Sequence, residues 1–133
     1  MSQENVEIVR WAYEEFRTRG ALVAEIVTPD FAWDMSHFSG WPERQVYEGA
    51  EGDSSFLEDW TAAWDDWEVD IEALYDIDDK VVAVVRQRGR SKATGLAVEM
   101  LFGQVWTMRD GKQARMEMYS KPDEALKAVG LAE

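Results

Sequence analysis

The sequence predicts an α+β domain in which a strongly curved antiparallel sheet is wrapped by N-terminal helices into a cone. Three observations carry that prediction. Val98 to Tyr119 reads as two long strands joined at Asp110-Gly111, a pair suited to the positive φ angles of a two-residue hairpin turn. Each run spans about ten residues, against the ~5–6 of an ordinary strand, so the hairpin belongs to a large sheet. The N-terminal part has helical periodicity, and the later strands follow one another through short turns, which separates helices and sheet into two layers.

Taken in order, Ser2 caps a first helix, with Asn5 close enough to compete for the cap. Val6, Val9, Tyr13 and Phe16 recur at three- and four-residue spacing and share one face, and Gly20 ends the helix. Ala21 to Val27 reads as a short second helix stopped by Pro29. Phe31 to Met35 alternates as a strand with Phe31, Trp33 and Met35 on one side. Ser36 to Gly52 is a long irregular segment, and loops of that length inside a domain are usually functional.

Asp53 or Ser54 caps a third helix whose inner face is Phe56, Trp60, Ala63 and Trp64. Glu68 to Asp76 is a strand with Val69, Ile71, Ala73 and Tyr75 on one side, and Asp78-Asp79 turns the chain into a strand from Lys80 to Arg90. The hairpin follows, and Pro122 opens a last helix, Asp123 to Val129, ended by Gly130. No repeat, linker or low-complexity tract interrupts residues 1–133, which read as a single domain.

Composition narrows the function. The chain has 14 Lys and Arg against 27 Asp and Glu, a formal net charge of −13. Phosphate neutralisation needs clustered cations, so nucleic acid and anionic membrane surfaces are excluded as partners. There is no Cys and one His, which leaves no thiol chemistry and no metal-ligand set in the sequence, and no cofactor motif is present. The first residues form no signal peptide and no run approaches the ~18–20 apolar residues of a membrane span, so a soluble, cytoplasmic protein is expected. Seven Trp, four Tyr and five Phe give enough aromatic area to fill a core and line a cavity as well.

On the first strand of the hairpin, Met100, Phe102, Gln104, Trp106 and Met108 share a face, and one amide stands among apolar groups. A buried amide must find a partner, which a ligand, a water or Tyr13 can each supply. Tyr13 looks inward from the first helix, where it can polarise a ligand carbonyl or simply satisfy a buried neighbour. His37 is the one side chain that titrates near neutrality without perturbation; it is either a general base or a solvated loop histidine. The remaining pocket wall is Trp33, Met35, Phe102, Trp106, Met116 and Met118, with Trp41, between Gly40 and Pro42, as a lid. Asp34 alternates away from Trp33, toward solvent or a partner subunit.

Five phrases, ENVEIVRWAYEEF, TPDFAWD, VYEGAEG, QVWTMRDGK and DEALKAVGL, occur in an order that resembles the nuclear transport factor 2-like (cystatin-like) superfamily, in its SnoaL-like polyketide cyclase branch. The resemblance implies a cone with a pocket, and a homodimer through the outer sheet face, where Arg86, Arg88, Glu99 and Arg115 would lie. It also allows residues to be matched. Tyr13 matches the hydrogen-bond donor of ketosteroid isomerase-like members. Their base Asp matches Met35, with His37 two residues on. Their second, protonated Asp falls on Gln104, which is also where SnoaL-like cyclases carry an acidic base. The Asp, Arg, Asp set of limonene epoxide hydrolase-like members would need carboxylates at Arg88 and Met118, with Arg86 as its Arg.

Two readings therefore follow. In the first, a small, mostly apolar molecule bearing a carbonyl or hydroxyl binds in the cone; Tyr13 and Gln104 stabilise an enolate oxygen while His37 moves a proton, as in an isomerase or cyclase. In the second, the chain is a non-catalytic binding or dimerisation module that lacks the family's carboxylates.

Overall fold

The computed structural model describes residues 2–19, 27–38, 46–48, 62, 64–77 and 79–130. Helix α1 spans Ser2–Arg19, followed by strands β1 (Val27–Asp34), β2 (Val46–Glu48), β3 (Trp64–Ile77), β4 (Lys80–Ser91), β5 (Ala97–Arg109) and β6 (Lys112–Tyr119), and helix α2 spans Pro122–Ala128. The strands form one curved sheet in the order β2-β1-β6-β5-β4-β3. From β3 to β6 it is an antiparallel meander, as the short turns require. The β5–β6 turn is closed by Asp110 and Gly111 at φ of 54° and 76°, the left-handed pair expected there.

Two boundaries and the pairing of one strand differ from the sequence reading. Strand β1 begins at Val27, so Pro29 lies within a strand and terminates no helix there. Proline has no N–H for a ladder, and β1 accommodates it where its register against β6 shifts, between Val27 and Ala32. Trp64, expected in the third helix, opens β3, and positive φ at Asp66 accompanies a register shift between Asp65 and Glu68. The sheet is also not wholly antiparallel, because β1 pairs with β6 in parallel. Residues 21–26, 53–61 and 63 of the expected helices, and the lid residue Trp41, fall outside the described residues.

Residues directly paired across strands share a face, so register sorts the side chains. Gln104 pairs with Met118 and with Ala83, and Trp106 with Met116 and with Val81. These belong to the inner face, where Val6, Val9 and Tyr13 of α1 complete the main core with Phe31, Trp33, Met35, Tyr47, Val85 and Phe102. The outer face carries a smaller cluster of Val82, Val105 and Ala125, with Tyr119, Leu126 and Val129 against it. Helix α2 reaches that face at Gly103, where a Cβ would stand 2.5 Å from the Cβ of Ala125. Only a glycine permits so close an approach.

Candidate functional site

The inner face is organised around Trp106. Its ring meets Tyr13 edge-on at 6.1 Å, Trp33 edge-on at 5.9 Å, and stacks near-parallel with Phe31 at 6.2 Å. Its indole N–H donates to the Tyr13 hydroxyl at 3.3 Å. Helix α1 thereby supplies the phenol, β5 the indole, and β1 the flanking rings. Tyr13 is only 8% exposed, and burial pushes its phenol well above the ordinary range, the Trp106 hydrogen bond offsetting this only in part. At physiological pH Tyr13 is therefore a neutral hydroxyl, able to donate but not to act as a base.

One pleat along β5 from Trp106 sits Gln104, 5% exposed. Its amide N–H reaches the thioether of Met118 at 3.7 Å, while its carbonyl oxygen has no partner among the described residues. Leaving a buried acceptor unpaired costs about 1–3 kcal/mol. Around it are Phe102, Met116 and Met118, all buried, and Phe38 packs edge-on against Phe102 at 6.1 Å. Trp33, Met35, Phe102, Gln104, Trp106, Met116 and Met118 thus lie on the expected face with Tyr13.

His37 does not join them. The strand stops at Asp34, whose carboxylate accepts the Ser36 N–H at 2.8 Å, and the Phe38 N–H turns back to the Met35 carbonyl at 3.0 Å. This turn breaks the alternation that would have carried His37 inward: Phe38 goes to the core and His37 goes out. The imidazole stacks on Tyr119 at 4.7 Å, and its Nε2 lies 3.8 Å from Glu117. Both neighbours are on the outer face of β6, so His37 is separated from Tyr13 and Gln104 by the sheet.

Asp34 is the second correction. It alternates outward as expected, yet it is buried at 4% exposure, and the Arg115 guanidinium donates to it at 2.5 Å. Burial, the largest single influence, pushes its carboxyl up; the Ser36 hydroxyl and N–H with Arg115 outweigh it and hold the group below the usual carboxylate range. Ligand-type atoms of Asp34, His37 and Glu117 lie within 4.8 Å of one another, a grouping that one His in the sequence did not suggest. Arg115 already stands against Asp34, which commits that carboxylate to an ion pair.

Farther along the outer face, Arg86 pairs with Glu72 at 3.2 Å and Glu99 at 3.0 Å, and Arg88 with Asp70 at 2.8 Å. Val85 points into the core, so Arg86 does not line the inner face. Arg115 is committed to Asp34 and stands apart from that group. Sequence reasoning missed two buried amides on the inner face. Gln87 accepts from the Trp67 indole at 2.7 Å, and Gln113 has neither amide atom paired among the described residues. Their alternation with Arg86, Arg88 and Lys112 was the available signal.

The sequence profile of the SnoaL-like domain matches residues 9–116. The chain belongs to the SnoaL-like domain family. Solved structures similar to this SnoaL-like domain include TerC co-crystallised with polyporic acid, with 22% identity over 95% of this chain and 98% of that one and a TM-score of 0.74. A nuclear transport factor 2-like protein of Burkholderia thailandensis aligns at 24% identity over 92% and 96%, with a TM-score of 0.77. A protein with a ketosteroid isomerase-like fold from Catenulispora acidiphila, in complex with trimethylamine, aligns at 18% identity over 94% and 93%, with a TM-score of 0.70. At these identities the likeness is one of fold. No curated protein matches the SnoaL-like chain. Among its described residues no helix is long and apolar enough to cross a membrane.

Proposed function

We propose that the inner face of the sheet binds a small, mostly apolar molecule bearing a carbonyl or hydroxyl group. Trp33, Phe102, Trp106, Met116 and Met118 form the walls, and Tyr13 and Gln104 are the polar contacts. The observation that carries this reading is the Gln104 carbonyl oxygen, unpaired among the described residues inside an otherwise apolar and aromatic wall. Such sites fit ligands through a few placed polar groups on a greasy surface. The co-crystallised and complexed relatives support a small-molecule role for the fold.

The proposal stops at binding. Among the described residues the main core contains no carboxylate or imidazole, and the buried carboxylate, Asp34, serves the outer face. Proton transfer by a residue of the chain would need a base within ~2.6–3.2 Å of the ligand. A homodimer through the outer sheet face, and a cytoplasmic location, are parts of the same proposal.

The test is titration of the purified protein with 2-naphthol, followed by indole fluorescence and two-dimensional NMR. Binding with shifts at Trp106 and Tyr13 is the expected result. No binding, or shifts confined to the outer face, overturns the reading. Incubating an aryl ketone with the protein in deuterated water separates binding from catalysis, since exchange of its α-protons would reinstate an isomerase-type activity.

A further inference from the structure

The inner face holds the same side-chain pair twice. Gln87 on β4 is the register partner of Met100 on β5, and Gln104 on β5 is the register partner of Met118 on β6. In both, the amide N–H points at the thioether across the strand gap, at 3.4 Å for Gln87 and 3.7 Å for Gln104. A thioether sulfur has lone pairs and no proton, so it accepts weakly from the NH₂ end and repels the carbonyl end. Each methionine therefore favours the orientation seen, with the NH₂ end toward the sulfur and the carbonyl oxygen turned away from it.

The two pairs differ in what meets that oxygen. At Gln87 the indole N–H of Trp67 fills the position at 2.7 Å. At Gln104 the oxygen is buried and, among the described residues, unpaired. The first pair shows the completed arrangement: amide nitrogen on sulfur, amide oxygen on the polar hydrogen of a flat ring. The second has everything but the ring.

We infer that the ligand supplies it. Resting on the binding role proposed above, the ligand is an aromatic molecule carrying a hydrogen-bond donor, a phenolic O–H or ring N–H, which docks on the Gln104 oxygen as Trp67 docks on Gln87. A carbonyl elsewhere on the ligand would take the proton of Tyr13, whose hydroxyl oxygen already accepts from Trp106. The site then asks for one donor and one acceptor. It is not a pair of donors converging on a single oxyanion, because the Gln104 oxygen would repel an enolate. This replaces the sequence-based expectation that Tyr13 and Gln104 act together on an enolate oxygen.

The experiment compares 2-naphthol with 2-methoxynaphthalene, which keeps the ring and lacks the proton, by calorimetry on the intact chain. Wild type should prefer the naphthol by about tenfold, the factor a single such hydrogen bond supplies. Gln104→Leu should bind both with equal affinity and keep the fold. Met118→Leu should also shrink the preference, because the amide is then free to turn its NH₂ end toward the ligand; it remains a test if the Gln104 variant fails to fold. Equal binding of the two probes by wild type overturns the inference and leaves the site standing. Failure of both probes to bind removes the site itself.

Discussion

On its inner face the sheet carries rings, thioethers and amides, and on its outer face it carries arginines and carboxylates paired with one another. The two differ in how their polar groups are satisfied. Outside, Arg86, Arg88 and Arg115 each hold carboxylates on neighbouring strands, so these arginines are paired within the chain. Inside, Gln104 and Gln113 have buried amide atoms with no partner among the described residues. Ion pairs that close on themselves are a structural solution, whereas an open acceptor in an apolar wall is a destabilising feature that a ligand can relieve. Both faces contribute to stability, and the proposed function places recognition on the inner one.

The most forceful way to break this comparison is Trp106→Ala. It removes the ring that Tyr13, Trp33 and Phe31 share, and should destabilise the domain by about 3–5 kcal/mol in a denaturant titration. A loss below ~1 kcal/mol would mean that the inner face is not the core. Gly103→Ala tests the outer face by packing alone. The added methyl meets Ala125 and should cost about 2 kcal/mol, and pairing it with Ala125→Gly should recover part of the loss if that contact is the cause.

Asp34→Asn sharpens the electrostatic half, at about 1.5 kcal/mol for the weakened bond to Arg115. The folded-state carboxyl titrates below its ordinary value, so its contribution is complete above pH ~4, the unfolded value, and is lost as pH falls through the depressed one. Melting temperatures recorded down that acid limb should fall less steeply in the variant than in wild type. The smallest effect belongs to Arg88→Ala. Its partners are exposed, so unfolding should change by no more than about 1 kcal/mol and the difference should shrink in high salt.

Local signals were legible in the sequence, and long-range ones were not. The spacing of Val6, Val9 and Tyr13 on α1, the Asp110-Gly111 turn and the phase of Met100 to Met108 depend on neighbours a few residues away, and each appears as expected. The same phase put Gln104 on the inner side of the sheet, toward which Tyr13 was also expected to face. The parallel β1–β6 pairing was hidden because it joins distant segments. His37 was misplaced for a local reason of another kind: extended alternation was carried past Asp34, where the carboxylate captures a backbone N–H and ends the strand. The Trp67 to Gln87 bond depends on β3 register, which two irregularities shift and no periodicity reports.

The β1–β6 ladder has a consequence for the order of assembly. Its Asp34–Arg115 contact spans 81 residues of chain, while the β3–β6 meander joins strands that are adjacent in sequence. Closing the longer loop is the slower event, because its entropy must be lost before any contact rewards it. The meander should therefore form first, and β1 should dock last, bringing Trp33 and Phe31 onto Trp106. In a refolding experiment, circular dichroism should recover ahead of the indole signal, and probe-binding capacity should return with the slower of the two.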